Sequence, residues 1–277
     1  MAEQRKQALG DFLVSAPLYT QVVLTDLRRP GDGLINMPRR ITRYCGNEKC
    51  RAELQWFHDT PGGYGEQSHP GSIQSATYKC PNCSAEFRAW YFWTVVDGKI
   101  AAMKVGQLPQ LEVPLAKDLE KALGKHADLW KKGMRSRHHG YGIGALAYFR
   151  RIVEGATGNL LNLLANAMQA AGEEPTAVEA VRALITAKAP FDKKMEQAAR
   201  MIPRTLRPGG ANPFQTMFDV VSGGLHGDTD EECCELVDAL SQSIVLIVGQ
   251  LNEHIEARKA YGDAVANVER LRARRTE

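Results

Sequence analysis

Four cysteines fall in two short knuckles, Cys45-x4-Cys50 and Cys80-Pro81-Asn82-Cys83, and they constrain what this sequence can fold into more than any other feature. Two close thiols cannot saturate a tetrahedral metal, but two such pairs brought together can. A structural zinc ion takes four nitrogen or sulfur ligands, and an all-cysteine set leaves no open position for a substrate. The second knuckle has the two-residue spacing and small turn-forming residues that let backbone N–H groups point at thiolate sulfur. The first is looser by two residues and still within the range of ligand spacings. Arg43, Lys49, Arg51 and Lys79 stand beside the cysteines and would partly offset the charge of a zinc tetrathiolate. The spacing therefore predicts Zn2+ as a structural cofactor held by Cys45, Cys50, Cys80 and Cys83. The alternatives are four reduced thiols or two disulfides. His58 and His69 are further donors that four thiols would make unnecessary.

The compartment bears on the disulfide alternative. No apolar run follows Met1–Gln7, so no signal peptide is expected. The longest apolar stretch, Ile244–Val248, is far too short to span a bilayer. A cytoplasmic location with no membrane partner follows, where thiols stay reduced and paired spacings point to metal. With 277 residues, 44% of them hydrophobic, the protein can bury one large core or two ordinary ones. A net charge of +3 is too mild to argue by itself for nucleic acid.

Composition changes along the sequence. Residues 1–106 are rich in aromatic, β-branched and turn residues, residues 107–116 carry two prolines and read as a linker, and residues 117–277 show helical periodicity. Strands are expected over 20–27, 52–58, 73–79, 86–96 and 99–105, the last two joined by the turn signal Asp97-Gly98. Residues 59–72, rich in glycine and proline, read as a long loop between the knuckles. Knuckle, strand, loop, strand, knuckle and hairpin make the arrangement of a zinc ribbon, in which the metal stands in for a core too small to hold the sheet. Helices are expected over 115–123, 126–135, 142–171, 176–188 (opened by the capping box Thr176-x-x-Glu179) and 190–202, from Asn212-Pro213, and from the capping box Thr229-x-x-Glu232 onward. The expected fold class is α+β: a small antiparallel zinc-ribbon domain followed by an all-α antiparallel helical bundle.

Three segments carry a resemblance: Lys104-Val-Gly-Gln-Leu-Pro109, Tyr141-Gly-Ile-Gly-Ala-Leu-Ala-Tyr-Phe-Arg-Arg-Ile-Val-Glu154 and Ser222-Gly-Gly-Leu-His-Gly-Asp-Thr-Asp-Glu-Glu-Cys233. Together they resemble uncharacterised bacterial proteins that join a zinc-ribbon head to a C-terminal HEPN-like helical domain (higher eukaryotes and prokaryotes nucleotide-binding). The resemblance implies a setting in bacterial defence or stress response. HEPN-type ribonucleases carry an arginine four to six residues before a histidine. Here His226 stands at such a histidine, but Val220, Val221 and Ser222 precede it, so the arginine is missing.

His226 lies among glycines just before a capped helix, where it is a candidate for catalysis or anion binding or a turn histidine joining two helices. Arg150 and Arg151 are candidates for nucleic-acid or anion binding, or for a structural pair with Glu154 four residues on. Cys233 and Cys234 are neighbours on a helix start and point apart, which suits packing. His138 and His139, with Lys131, Lys132, Arg135 and Arg137, form a basic patch or a solvated surface. Trp56, Trp90, Tyr91, Phe92 and Trp93, with Arg39, Arg40, Arg43 and Arg88, offer a base-stacking platform of which alternation leaves at most half free. The resemblance, with these residues beside it, implies a non-catalytic protein associated with RNA, DNA or a protein partner. The alternatives are a divergent HEPN-type ribonuclease using His226 and an oligomerisation scaffold, a homo-oligomer formed through the C-terminal helices.

Overall fold

The computed structural model describes residues 6–27, 35–59, 67–202, 217, 219–220 and 228–276. The protein divides into two compact units, residues 1–114 and 115–277. The helix expected from Asn212-Pro213 and much of the loop between the knuckles lie outside the described residues.

The first unit is built on a seven-stranded mixed sheet. Its strands are β1 (Lys6–Gln7), β2 (Gln21–Leu24), β4 (Arg40–Cys45), β5 (Ala52–His58), β7 (Gln74–Lys79), β8 (Glu86–Val96) and β9 (Lys99–Leu108). They lie in the order β1-β2-β9-β8-β7-β5-β4, with β1 and β2 parallel and every other pairing antiparallel. A small second sheet pairs β3 (Ile35–Asn36) with β6 (Gln67–Ser68). The β8–β9 hairpin turns on Asp97 and Gly98, whose φ values of 51° and 74° are the two positive angles that a tight two-residue turn demands.

This architecture corrects the small zinc ribbon. The sheet curls into a half-barrel with a core of its own. Phe87, Ala89, Tyr91 and Trp93 alternate inward from β8, Ala76 and Tyr78 from β7, Ile41 from β4 and Trp56 from β5. Helix α1 (Leu9–Ser15) seals that face with Leu9, Phe12 and Leu13. The physical reason for the correction lies in β1, α1, β2 and β4, which add apolar area that a two-hairpin ribbon lacks. The four cysteines therefore sit at one end of a substantial core and do not replace it.

One polar side chain holds α1 in place. Lys104 on β9 is fully buried, and its Nζ donates to Gln107 Oε1 at 2.7 Å and to the carbonyls of Leu13 at 3.2 Å and Val14 at 3.4 Å. Those carbonyls end α1, where the helix lacks internal donors and carries partial negative charge. Burial, followed by the nearby charge of Arg43, brings the Lys104 amine down to about 7. The unfolded protein binds the Lys104 proton between that value and the ordinary lysine range, so it holds more protons than the folded protein there. The contribution of Lys104 must then rise as pH climbs from 7 towards 10. Denaturant titrations of wild type and Lys104→Met at pH 7 and pH 9.5 should show this as a stability difference that widens with pH in favour of wild type. A pH-independent difference would refute it.

The second unit is helical: α2 (Lys117–Leu123), a short 3-10 turn, then α3 (Ala127–His138), α4 (Gly142–Ala171), α5 (Pro175–Thr186), α6 (Phe191–Met201) and α7 (Asp230–Thr276). Helix α4 is the axle, packed by α2, α3, α5 and α7. Its buried stripe includes Leu146, Phe149, Val153, Leu160, Leu164 and Met168. The expected capping box opening α5 does not form, because Pro175 takes the first helical position after Glu174. That opening α7 does form, with Thr229 N–H donating to Glu232 and Glu232 N–H donating to Thr229 Oγ1.

Helix α7 buries Cys233, Val237, Leu240, Ile244, Ile247, Val248 and Leu251, while Tyr261, Val265, Val268 and Leu271 are exposed. By length and composition its Asp230–Arg272 stretch is apolar enough to cross a membrane, although its longest unbroken apolar run is short. Packing of its first half on α4 accounts for much of that apolar character.

Candidate metal centre

Each cysteine is placed by strand or turn geometry. Cys45 ends β4 and Cys80 follows β7, on the inward rows that begin with Ile41 and Ala76. Both are buried. Cys50 and Cys83 lie in the turns leading to β5 and β8 and close over them half-buried. The two turns share one device. The residue after the second cysteine of each knuckle has positive φ, 40° at Arg51 and 59° at Ser84, which reverses the backbone without pulling the sulfur away. In the first turn the N–H groups of Cys50 and Arg51 both donate to Asn47 O, at 2.9 and 3.0 Å. In the second, Cys80 N–H donates to Ala85 O at 2.9 Å and Ser84 N–H to Cys80 O at 3.0 Å.

The register explains why the pairs meet. β5 and β7 pair only at Phe57 with Lys79 and at His58 with Tyr78. The β4–β5 hairpin therefore overhangs the end of β7, and the second knuckle folds against the overhang. Cys45 Sγ lies 3.6 Å from Cys83 Sγ, Cys50 Sγ lies 3.9 Å from Cys80 Sγ, and all four sulfurs fall within 4.8 Å of one another. Zinc–sulfur bonds of ~2.3 Å in a tetrahedron put sulfurs about 3.8 Å apart. A disulfide needs about 2.05 Å, so the thiols are unbridged and their spacing fits a bound ion. Among the described residues, this is the one cluster of three or more histidine, cysteine or acidic side chains with ligating geometry. His58 instead packs edge-on to Tyr78, with ring centroids 4.9 Å apart.

The electrostatics ask for a cation. Burial pushes the Cys45 thiol up, against an N–H contact from Asn47. Burial, then the neighbouring thiols, pushes Cys50 up to about 12. Burial opposes ionisation of Cys80 too, but the N–H groups of Cys83 and Asn82 and the thiols of Cys83 and Cys45 together outweigh it and bring that thiol down to about 7. One sulfur is thus ready to ionise while two are held protonated, and a metal ion would bind with release of protons.

Of the four basic neighbours, Arg43 is the one built into the core. It is 6% exposed, with its guanidinium over Phe87 at 4.5 Å and over Trp56 at 5.2 Å. Trp56 Nε1 donates back to Arg43 O at 3.0 Å. Burial lowers the Arg43 pKa, opposed by Glu112 and Cys45. Glu112 was not legible in the sequence as a neighbour of the first knuckle. A methyl group on Gly46 would lie 2.9 Å from its Cδ, so the glycine makes room for the carboxylate. Lys79 is turned outward to Asp59 at 2.9 Å and Glu86 at 3.8 Å, and Lys49 and Arg51 are exposed or nearly so.

The outer face of the sheet carries aromatic rings and guanidinium groups, with Glu53 and Glu86 among them. Arg40 and Phe57 are register partners, with the guanidinium 5.1 Å above the ring. Phe57 faces Lys79 on β7, and Arg88 lies over Trp90 at 5.9 Å on β8. Phe92 continues the row. Alternation therefore sends Tyr91 and Trp93 into the core and leaves Trp90 and Phe92 half-buried on the other face.

The remaining candidates separate. His226 lies outside the described residues. Arg150 pairs with Glu154, Nε to Oε1 at 3.0 Å, on a half-exposed surface, and Arg151 is exposed. Arg137 leaves the basic patch to form a two-point ion pair with Asp238. Cys233 and Cys234 have thiols pushed up, chiefly by burial, which suits packing and not reactivity. Comparison of the sequence and structure with protein families, with curated proteins and with solved structures finds no match.

Proposed function

We propose that the four cysteines hold one zinc ion as a structural staple, and that the β unit is a non-catalytic platform for single-stranded nucleic acid. Zinc suits a tetrahedral all-thiolate set. Its position at the end of the core, with all four sulfurs facing one another, supports a fastening role. The nucleic-acid reading rests on one observation, the pairing of guanidinium and ring on the outer face at Arg40–Phe57 and Arg88–Trp90. Rings stack on bases of any sequence, and guanidinium groups answer phosphate.

The test is fluorescence anisotropy with labelled fifteen-nucleotide oligo-dT and oligo-U at 50 and 200 mM salt. Wild type should bind with an affinity that falls steeply with salt. Trp90→Ala should weaken binding by about tenfold, in line with the loss of one base–aromatic stack. Absence of binding at low salt, or binding indifferent to both salt and Trp90→Ala, would discard the reading. The exposed Tyr261, Val265, Val268 and Leu271 of α7 favour a second reading, self-association through that helix. Light scattering on the same samples would report it: a stable dimer without oligonucleotide affinity would replace the first reading by the second.

A further inference from the structure

The helical unit holds a cleft of about 870 Å³ walled by α2, α4 and α7. Its volume is that of a ligand site, and polar side chains stand among the apolar ones that line it. Carboxamides recur along α4 at Asn159, Asn162, Asn166 and Gln169, and Asn252 of α7 adds another. Three of the five are partly committed: Asn159 Nδ2 donates to Ala122 O at 3.1 Å, Asn252 Nδ2 donates to Val248 O at 2.9 Å, and Gln169 Oε1 accepts from the Arg182 guanidinium at 2.7 Å. Asn162 and Asn166 are exposed to the cleft and make no hydrogen bond to another described side chain or backbone group. Their whole donor–acceptor pairs are available.

A carboxamide is a peptide group carried on a side chain, with one acceptor and two donors. It can accept from a backbone N–H and donate to a backbone carbonyl at once. Asn162 and Asn166 are four residues apart on a helix, so they are offset by about 6 Å along its axis. An extended peptide repeats its same-side amide groups every two residues, about 6.7 Å. The two spacings match within the reach of a side-chain rotamer. Ala122, Ala170 and Gly262 keep the walls low, so that a backbone can approach the floor. Charge in the cleft is mixed, with Lys121, Arg258 and Lys259 against Asp118 and Glu256, and Arg258 already donates to the carbonyls of Ala170 and Ala171 at the end of α4, which favours no strongly charged ligand.

From this we infer that the cleft binds an extended peptide segment through its backbone, with Asn162 and Asn166 as the two points of recognition. The specificity this gives is for an extended backbone and not for one side-chain sequence.

The experiment uses full-length, metal-loaded protein. A phage-displayed library of random heptapeptides is panned on wild type with the Asn162→Ala/Asn166→Ala protein as counter-selection. The best peptide is then made with blocked ends, both unmodified and with N-methyl groups at alternate residues. Binding is read by fluorescence anisotropy. Loss of the two amide pairs should weaken the unmodified peptide by roughly 10- to 30-fold, and N-methylation should weaken it for wild type by a similar factor. Both asparagines are exposed, so the double variant should melt at the wild-type temperature, which separates lost binding from lost fold. The inference is overturned if no peptide is enriched over the double variant. It is equally overturned if the selected peptide binds both proteins alike or tolerates N-methylation.

Discussion

Cys80→Ser protein is expected to purify without its metal, and its β unit to melt roughly 10–20 °C below wild type, a loss on the order of 3–5 kcal/mol. The effect is large because Cys80 is buried beside three other sulfurs and is the thiol its own turn prepares for ionisation. A serine hydroxyl there is a poorer ligand for a soft thiolate site. The loss should stay well short of the ~10–16 kcal/mol of apparent zinc binding in peptides that fold only around their metal. Here Trp56, Tyr78, Tyr91 and Trp93 add a hydrophobic core that such peptides lack. Atomic emission should find one zinc per wild-type molecule and less than a tenth of that in Cys80→Ser. Near-ultraviolet circular dichroism would follow the melt, since Trp56, Trp90 and Trp93 lie in this unit. Iron in place of zinc would overturn the choice of metal. Full occupancy and an unchanged melt in the variant would overturn the staple.

Gly142→Ala should be comparably damaging to the helical unit. An added Cβ would lie 1.9 Å from Asp230 O and 2.7 Å from Cys234 N, both backbone atoms of or beside the first turn of α7. Backbone cannot swing aside as a side chain can, so α4 and α7 must separate. That separation would break the hydrogen bond from Ile143 N–H to Asp230 Oδ1 at 2.9 Å and strain the Arg137–Asp238 ion pair. Overpacking of this kind costs about 3 kcal/mol or more. Gly144→Ala, two residues on and facing open space, is the control and should equal wild type or exceed it by up to about 1 kcal/mol, since alanine favours helix over glycine. Urea denaturation followed by far-ultraviolet circular dichroism separates the two. Equal midpoints would mean that the close approach of α4 and α7 is not part of the folded protein.

Much of the local structure was legible. The extended run Glu86–Val96, the Asp97-Gly98 turn and the periodic helix Gly142–Ala171 are written in nearest-neighbour chemistry, and they form as their residues direct. Helix α1 was missed because seven residues carry little periodicity and its stability comes from the sheet beneath it. Strand β4 was missed because Arg40, Thr42 and Arg43 mask its alternation, and Arg43 is inward only because Trp56 and Phe87 receive its guanidinium.

The candidate metal site divides in the same way. The knuckle spacing alone determined which four residues could converge, because ligand spacing and turn chemistry are local properties. Only the tertiary structure decided where the convergence sits. A seven-stranded sheet with its own core and helix moves the four sulfurs from the centre of a miniature fold to its edge. The pairing of β2 with β9, the offset of β5 against β7 and the burial of Arg43 depend on contacts between residues far apart in the sequence. No local window of sequence contains that information.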